Sequence, residues 1–319
     1  MDSVLIYANK ALVYDPQCAE AYFYRAKVYS QTSKTAEALN EIDKALQFNP
    51  NAYYAFALRS EIFRFVQDNV GVISNSYEAM LRNHASPDYL RGFGNSLVNS
   101  GYSDLGRKYL EQALELDGDS ASYLYWLAGM EYSDGNIENA YQMAKKNIDY
   151  YKDLTRNNAL APYCLMTGRI DEAYTINLKM MESLRKSGEM DLFVPKEFAY
   201  CLWQKGRTKE AEVYVNQVIQ TNLESIKLGR IGAITKRAQF DLAEMYCLLG
   251  NKEKAYYYLD EVIKKPAFPS WWVISFKYVP YFNSIRQEPR FQNILKDVEA
   301  KYQAEQERVG IWLKEKGLL

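Results

Sequence analysis

The sequence predicts an all-α fold built from antiparallel helix hairpins in tandem. The main observation is a set of alanines that recur every 34 residues, each inside an amphipathic segment. The composition agrees, because 16 Gly and 9 Pro are too few for a chain of many short strands, and hydrophobic residues make up 48% of the 319 residues. The recurring alanines are Ala11, Ala45, Ala79 and Ala113.

The first complete repeat, residues 19–50, explains why this spacing favours a hairpin. Ala26 and Ala38 are small enough to let two helices approach closely, and larger side chains fill the seam between them. A single hairpin would leave an apolar face bare, so several hairpins must stack to bury it. The other seam positions are Tyr22, Tyr29, Ile42 and Ala45, and Pro50 ends the repeat.

Later repeats place a glycine in the turn between their two helices. The turns TGRIDEAY and KGRTKEAE share a Gly-Arg-x-x-Glu-Ala pattern, and LGNKEKAY is a variant of it. From Gly135 onward the spacing of these glycines grows from 33 to 38 to 44 residues, which indicates longer helices or loops toward the C-terminus. The turn glycines are Gly101, Gly135, Gly168, Gly206 and Gly250.

The two ends depart from this pattern. Residues 1–18 match only the second helix of a repeat, so we expect a half repeat with a truncated N-terminus, whose bare apolar face suits a homodimer. Segment 266–319 ends the periodicity, and Pro289 begins a long capping helix with apolar positions at helical spacing. Between the ends we predict four regular repeats over 19–153 and about three longer, divergent ones over 154–265.

This repeat resembles the tetratricopeptide family, which has large aromatic, small and apolar residues and a terminal proline at these offsets. The resemblance implies a right-handed superhelical array whose first helices line a concave groove that binds a protein or peptide. The run Tyr281–Phe291 resembles the C-terminal tail of tetratricopeptide modules in bacterial signalling proteins, such as adenylate-cyclase-like and membrane-tethered transcription regulators. This resemblance implies that the chain is the sensory or regulatory part of such a protein. It also implies a location in the cytoplasm or, if the regulator is membrane-tethered, in the periplasm.

The resemblance also implies which residues face a partner, because ligand-facing positions in that family lie near the second, fifth, ninth and twelfth residue of each unit. Carried over by offset, these positions combine aromatic rings with Arg and Lys, which suit recognition of an extended peptide or a helix. The partner-binding residues expected on this basis are Phe23, Lys27, Tyr54, Arg64, Arg91, Asn95, Tyr125, Tyr132, Tyr200, Trp203, Arg237 and Phe240.

Charge and residue types argue against several other classes of protein. With 39 basic and 40 acidic residues the net charge is −1, so direct nucleic-acid contact and an anionic membrane are not favoured, and no stretch suits a membrane span. The single histidine, His84, falls between repeats, and the four Cys are dispersed as buried thiols. We therefore predict no cofactor, no metal site and no catalytic residue.

Two alternatives to a protein-binding scaffold stay open. A helical-repeat RNA-binding protein needs a basic concave face, against which the balanced charge argues. An enzyme would need a site in the aromatic segment around Trp271 and Trp272. The sequence also leaves open which ligand binds, which effector domain precedes a fragment of this kind, and whether the C-terminal helix fills the groove.

Overall fold

The computed structural model describes residues 2–32, 34–150, 160–187 and 196–319. Within these ranges the regular elements are eighteen α-helices and one 3₁₀ turn, and no residue lies in a β-strand. The all-α class predicted from the sequence is confirmed. The chain divides into two compact units, of which the first comprises residues 1–118 with 305–319 and the second residues 119–304.

The first unit contains seven helices in its N-terminal part and the end of the C-terminal helix. Three pairs of helices pack as hairpins: α2 with α3, α4 with α5, and α6 with α7. Helix α1 packs against α2, which is already paired with α3. The bounds are α1 Asp2–Tyr14, α2 Ala19–Gln31, α3 Thr35–Phe48, α4 Tyr53–Val66, α5 Asn69–Arg82, α6 Pro87–Asn99 and α7 Ser103–Asp117.

Small residues bring the paired helices together where the sequence predicts it. In the α2–α3 hairpin Ala26, Ala38, Ile42 and Ala45 are fully buried. The α6–α7 pair is tighter, because a Cβ built on Gly94 would lie 2.9 Å from the carbonyl oxygen of Gly106. The backbones of these two helices are therefore in direct contact.

The C-terminal residues of the chain complete the core of the first unit. Val309 and Leu313 are fully buried in the cluster around Phe93. The Tyr102 hydroxyl donates to the Gln306 carbonyl at 2.9 Å, and the Gln306 amide donates to the Gly101 carbonyl at 3.1 Å. Helix α18 (Pro289–Glu315), which begins at Pro289 as predicted, therefore covers apolar surface of this unit with its last turns.

Within its described residues the second unit contains four further hairpins, formed by α8 with α9, α10 with α11, α12 with α13, and α15 with α16. Among the described residues no helix combines the length and apolarity that crossing a membrane requires. The bounds are α8 Ser120–Ser133, α9 Ile137–Tyr150, α10 Leu160–Met166, α11 Ile170–Ser187, α12 Lys196–Gln204, α13 Thr208–Lys227, α14 Ile231–Ile234, α15 Arg237–Leu248, α16 Lys252–Val262 and α17 Ser270–Tyr278.

The predicted turn glycines end the first helix of each of these hairpins in the left-handed conformation. Gly168 has φ +75°, and the next amide, of Arg169, donates back to the Cys164 carbonyl at 2.7 Å. The same six-to-one hydrogen bond follows Gly135, Gly206 and Gly250. This is the Schellman arrangement, which satisfies the helix's last carbonyls and needs a residue without Cβ strain.

Helix α17 lies inside the second unit and contacts α8, the first helix of that unit. Five consecutive residues, from Trp272 to Phe276, are buried, as expected for a helix covered on all sides. A 3₁₀ turn, Pro280–Phe282, follows and packs against α15. We call residues 270–282 the inner segment.

Arg286 joins the inner segment to α18. Its guanidinium donates to the carbonyls of Phe276 at 2.7 Å, of Lys277 and of Val279. Carbonyls at the end of a helix have no partner within that helix, so a five-donor side chain satisfies several at once. Burial lowers the pKa of Arg286 from its ordinary value.

Candidate functional site

The first unit carries a row of aromatic rings that runs across three successive first helices. The Phe23 ring meets Tyr24 at 5.3 Å and Tyr54 at 4.7 Å between centroids, and Tyr53 meets Tyr54 at 5.5 Å and Tyr89 at 5.3 Å. All four contacts are edge-to-face, which is a favourable geometry for aromatic pairs. We call these five rings the aromatic strip.

The repeat itself holds the strip in register. The Tyr54 hydroxyl donates to the Glu20 carboxylate at 3.0 Å, and these two residues lie 34 positions apart, which is one repeat. Burial and this hydrogen bond raise the pKa of Tyr54 to about 12. Equivalent positions of neighbouring hairpins therefore face each other, as stacking of a tandem array requires.

The strip keeps contact with solvent. Tyr24 is 49% exposed, and the other four rings are partly exposed. Two of the predicted partner-binding cations, Lys27 on α2 and Arg64 on α4, are exposed as well. The first unit thus presents rings together with positive charge on its first helices.

Arg91 and Asn95 differ from the other predicted residues of this unit. The Arg91 guanidinium donates to Asp117 at 2.8 Å and to Asp88 at 2.9 Å, and its side chain is only 12% exposed. Burial alone would lower the pKa of Arg91, but the two carboxylates hold it above its ordinary value. Arg91 therefore ties α6 to the end of α7, and Asn95 is partly buried.

In the second unit the inner segment covers residues that were expected to face a groove. Tyr200 is buried, with its ring 4.9 Å from that of Tyr281. Phe240 is 1% exposed and contacts Trp272 at 4.9 Å. These two rings therefore contact the inner segment of the chain itself.

The remaining predicted residues of the second unit have different surroundings. Tyr125 is exposed and touches Trp126, whereas Trp203 is partly buried beside Phe198. Tyr132 bonds its hydroxyl to that of Ser275 at 2.7 Å, and burial raises the pKa of Tyr132 to about 12. Tyr132 on α8 comes together with Arg237 and Phe240 on α15, because all three line one cavity.

The cavity has a volume of about 210 Å³ and lies between the first helices α8, α10, α12 and α15 and the inner segment. Its wall combines aromatic and charged side chains. The charged residues are Lys196, Glu197, Arg237 and Glu244. The rings are Tyr132, Tyr163, Phe240, Trp271 and Tyr281.

A buried ion network forms one side of the cavity. The Lys196 ammonium donates to Asp241 at 2.7 Å and also to Glu244, and the Arg237 Nε atom lies 3.2 Å from Asp241. Burial, with the neighbouring Asp241, raises the pKa of Glu244 to about 7. Burial opposes ionisation of Asp241 too, but Arg237 and Lys196 hold the pKa of Asp241 below its ordinary value.

Two polar atoms of the cavity wall lack a protein partner among the described residues. They are the Glu244 Oε1 atom and the Tyr281 hydroxyl, and both side chains are buried. Buried polar groups without hydrogen bonds are rare and point to water or a ligand. In the described part of the chain no group of three or more His, Cys, Asp and Glu is arranged to hold a metal ion.

Sequence reasoning missed Lys196, Glu197, Asp241, Glu244 and Tyr281. One signal was available, because Asp241 and Glu244 lie three apart in an otherwise apolar stretch of α15. Two carboxylates on the buried face of a helix need partners, since an unpaired buried charge is very costly. The identity of those partners was not readable from the sequence.

Comparison with known proteins agrees with the repeat and the fold. The sequence profile of a tetratricopeptide repeat family matches residues 91–151. This chain therefore contains tetratricopeptide repeat sequence. A tetratricopeptide repeat protein from Parabacteroides merdae has a similar fold, with a TM-score of 0.51 and 13% identity over 88% of this chain and 98% of that one.

Two other solved structures are more distant from this tetratricopeptide repeat chain. YrrB, described as a tetratricopeptide repeat protein with an unusual peptide-binding site, gives a TM-score of 0.42 and 17% identity over 57% of this chain and 97% of its own. PilW, described as a type IV pilus biogenesis factor, gives a TM-score of 0.40 and 14% identity over 87% of this chain and 98% of its own. No curated protein sequence matches the chain.

Proposed function

We propose that this tetratricopeptide repeat protein is a non-enzymatic interaction module that binds an extended peptide or a helix on the aromatic strip. The observation that carries the proposal is the strip itself, in which five linked rings span three successive hairpins and keep contact with solvent. Tyr and Phe rings supply large contact areas with few rotatable bonds, so they bind a partner at a low cost in entropy.

The surroundings of the strip favour a partner that carries acidic residues beside apolar ones. Lys27 and Arg64 are exposed on the same first helices and form no ion pair among the described residues. Desolvation of the Arg64 guanidinium lowers its pKa, and the nearby charge of Glu61 partly offsets that shift. Unpaired surface cations steer an oppositely charged partner and accelerate its association. Arg91 is already held by two carboxylates, so it is not expected to contribute.

The second part of the proposal concerns biological context. The resemblance of the run Tyr281–Phe291 to tails of bacterial signalling and transcription-regulatory modules supports a sensory or regulatory role for this chain. In that role, binding of a peptide to the strip would be the event that is sensed.

Peptide display on the full chain tests the proposal. Peptides are selected on the wild type and then measured against two variants, Tyr24→Ala with Tyr89→Ala, and Lys27→Glu with Arg64→Glu. Tyr257→Ala is the matched control, because Tyr257 is 60% exposed on a second helix of the other unit. We expect acidic and apolar peptides to bind the wild type and the control, and to bind each variant at least about tenfold more weakly, which corresponds to about 1.4 kcal/mol.

Peptides that bind all four proteins equally would place the binding surface elsewhere. Failure to select any peptide, together with binding of single-stranded RNA by the wild type, would overturn the proposal in favour of nucleic-acid recognition. Circular dichroism of each variant establishes that it is folded before binding is compared.

A further inference from the structure

The cavity of the second unit is a built site that the proposed function does not use. At about 210 Å³ it is smaller than the ~300–1,000 Å³ of sites for drug-sized ligands, so it suits one molecule of about the size of an amino acid. It belongs wholly to residues 119–304, whereas the aromatic strip belongs to the first unit. The inference about this cavity is therefore independent of peptide binding.

The cavity offers one group that can receive an anion. The Lys196 ammonium is already shared between Asp241 and Glu244. Arg237 uses its Nε atom on Asp241, and among the described residues its two Nη groups form no hydrogen bond, although the side chain is 42% exposed and lines the cavity. A planar guanidinium whose two Nη groups are unoccupied can bind a carboxylate through two parallel hydrogen bonds.

The same cavity offers acceptors for a cation. Glu244 Oε1 is buried without a hydrogen-bond donor, and the Glu197 carboxylate lines the cavity and is partly exposed. An ammonium group supplies three donors, so it can satisfy both carboxylates. The aromatic faces around them add to this preference, because ring faces attract cations.

Neither an anion alone nor a cation alone fits this set. A lone anion would bind Arg237 but would lie against the carboxylates of Glu197 and Glu244, which include the unsatisfied atom. A lone cation would satisfy those carboxylates but would lie beside the charges of Arg237 and Lys196. Like charges in a partly buried site repel strongly because the effective dielectric is low.

We propose that the cavity binds a zwitterionic α-amino acid with an apolar or aromatic side chain. The ligand carboxylate pairs with Arg237, the ammonium donates to Glu244 and Glu197, and the side chain packs among the rings of Tyr163, Trp271 and Tyr281. The Tyr281 hydroxyl, which has no protein partner among the described residues, can then form a hydrogen bond with the ligand. Five of the wall residues belong to the inner segment, so the fold-back of that segment creates the site.

Isothermal titration calorimetry on the full chain, with three matched probes, tests the proposal. L-phenylalanine carries both charges, phenethylamine lacks the carboxylate, and 3-phenylpropanoate lacks the ammonium. We expect L-phenylalanine or another apolar amino acid of a standard panel to bind, and each half-charged probe to bind at least tenfold more weakly. A dipeptide, in which the two charges are farther apart, is also expected to bind weakly.

Variants at the rim separate the roles of the two ends. Arg237→Gln is expected to weaken amino-acid binding at least tenfold while changing phenethylamine binding little, and Glu197→Gln is expected to weaken binding of both amines. The matched controls are Arg185→Gln and Glu212→Gln, which are exposed in the same unit and do not line the cavity. Both controls should bind as the wild type does.

Three results would overturn the proposal. Absence of binding by every amino acid at millimolar concentration would mean that the cavity holds water only. Equal binding of the three probes would mean that the ring-lined wall, and not the paired charges, selects the ligand. Unchanged amino-acid affinity in Arg237→Gln would remove the carboxylate contact on which the zwitterion depends.

Discussion

Burial shifts the pKa of individual side chains in this protein. Lys265 is an example, because it is 5% exposed and its ammonium has one hydrogen-bond acceptor, the Thr235 carbonyl at 3.1 Å. The Trp272 ring lies 4.8 Å from the same ammonium and offers a second favourable contact. No carboxylate is paired with Lys265 among the described residues, and burial lowers its pKa from 10.5 to about 8.

This shift predicts how the stability of the fold depends on pH. A base whose pKa is lower in the folded state binds fewer protons when folded, so Lys265 by itself adds to the free energy of unfolding as the pH rises from about 8 to 10.5. The three buried thiols act in the opposite direction over this range, because burial raises the pKa of each to about 12. This pH-dependent gain in stability is at most about 3 kcal/mol. It is absent below pH 8, where Lys265 is charged in both the folded and the unfolded protein. In urea melts, the unfolding free energy of the wild type minus that of Lys265→Met should therefore rise between pH 8 and 10.5. The same difference for Lys227→Met, at an exposed position, should not change with pH.

The cysteines give a second prediction at the scale of residues. Cys164, Cys201 and Cys247 are buried, and burial raises the pKa of each thiol to about 12, whereas Cys18 is partly exposed. Thiolates are the reactive form, so only Cys18 should react quickly with Ellman's reagent at pH 8. All four should react after denaturation, and a second fast thiol in the native protein would contradict the packing described for the second unit.

At the scale of elements, the close contact between α6 and α7 depends on glycine at particular positions. Gly92 and Gly94 lie on the same helix, and a Cβ on Gly92 would meet nothing within 4 Å, whereas one on Gly94 would lie 2.9 Å from a backbone oxygen. Gly94 lies two periods of 34 residues after Ala26, which the sequence places as a small residue in the seam of the first complete repeat. The sequence did not indicate that the two backbones touch.

Alanine substitutions at these two positions separate helix propensity from packing. Gly92→Ala should stabilise the protein by about 0.5–1 kcal/mol, because alanine loses less backbone entropy in a helix. Gly94→Ala brings the same gain in helix propensity, but it should destabilise the protein by about 1–3 kcal/mol overall, because α6 and α7 must move apart. Chemical denaturation measures both, and equal effects would mean that the helices are not in backbone contact.

The junction between α17 and α18 depends on Arg286 in a similar way. Arg286→Ala leaves three carbonyls without their donor, at about 1–3 kcal/mol for each group that stays buried, so a loss of about 2–4 kcal/mol in unfolding free energy is expected. Arg290→Ala is the control, because its pair with Asp260 is exposed and contributes within about 1 kcal/mol. Arg286→Lys should fall between them, since an ammonium lacks the planar fork.

At the scale of the whole molecule, α1 has more exposed large apolar side chains than any other helix in the described part of the chain. Ile6, Tyr7, Val13 and Tyr14 are 63–80% exposed on one short helix. Exposed patches of this kind are typical of interaction surfaces. We propose that a second copy of the chain covers α1, as the half repeat in the sequence led us to expect.

Light scattering coupled to size exclusion tests this proposal. The wild type is expected to shift from monomer to dimer as its concentration rises, and Ile6→Ser with Tyr14→Ser should remain monomeric. Tyr257→Ala is again a suitable control, since it removes an exposed ring from the other unit. A wild type that stays monomeric at every concentration would contradict the homodimer.

The sequence by itself determined the class of fold, the hairpins and their turns, because each of these depends on residues close together in the chain. A period of 34, small residues at Ala26 and Ala38, and a left-handed glycine such as Gly168 act within one or two hairpins. Local periodicity and turn chemistry encode such features directly.

Only the tertiary structure decided that the inner segment lies over the first helices of the second unit and that a charged cavity forms beneath it. Tyr132 meets Ser275 across 143 positions, and Lys196 meets Glu244 across 48. Contacts at these separations leave no period in the sequence. Helix α17 has a run of consecutive buried residues instead of one apolar stripe, so its pattern predicts burial without indicating what it packs against. Tyr200 and Phe240 were expected at a groove from their offsets, and they are buried because a segment outside the repeat supplies their neighbours.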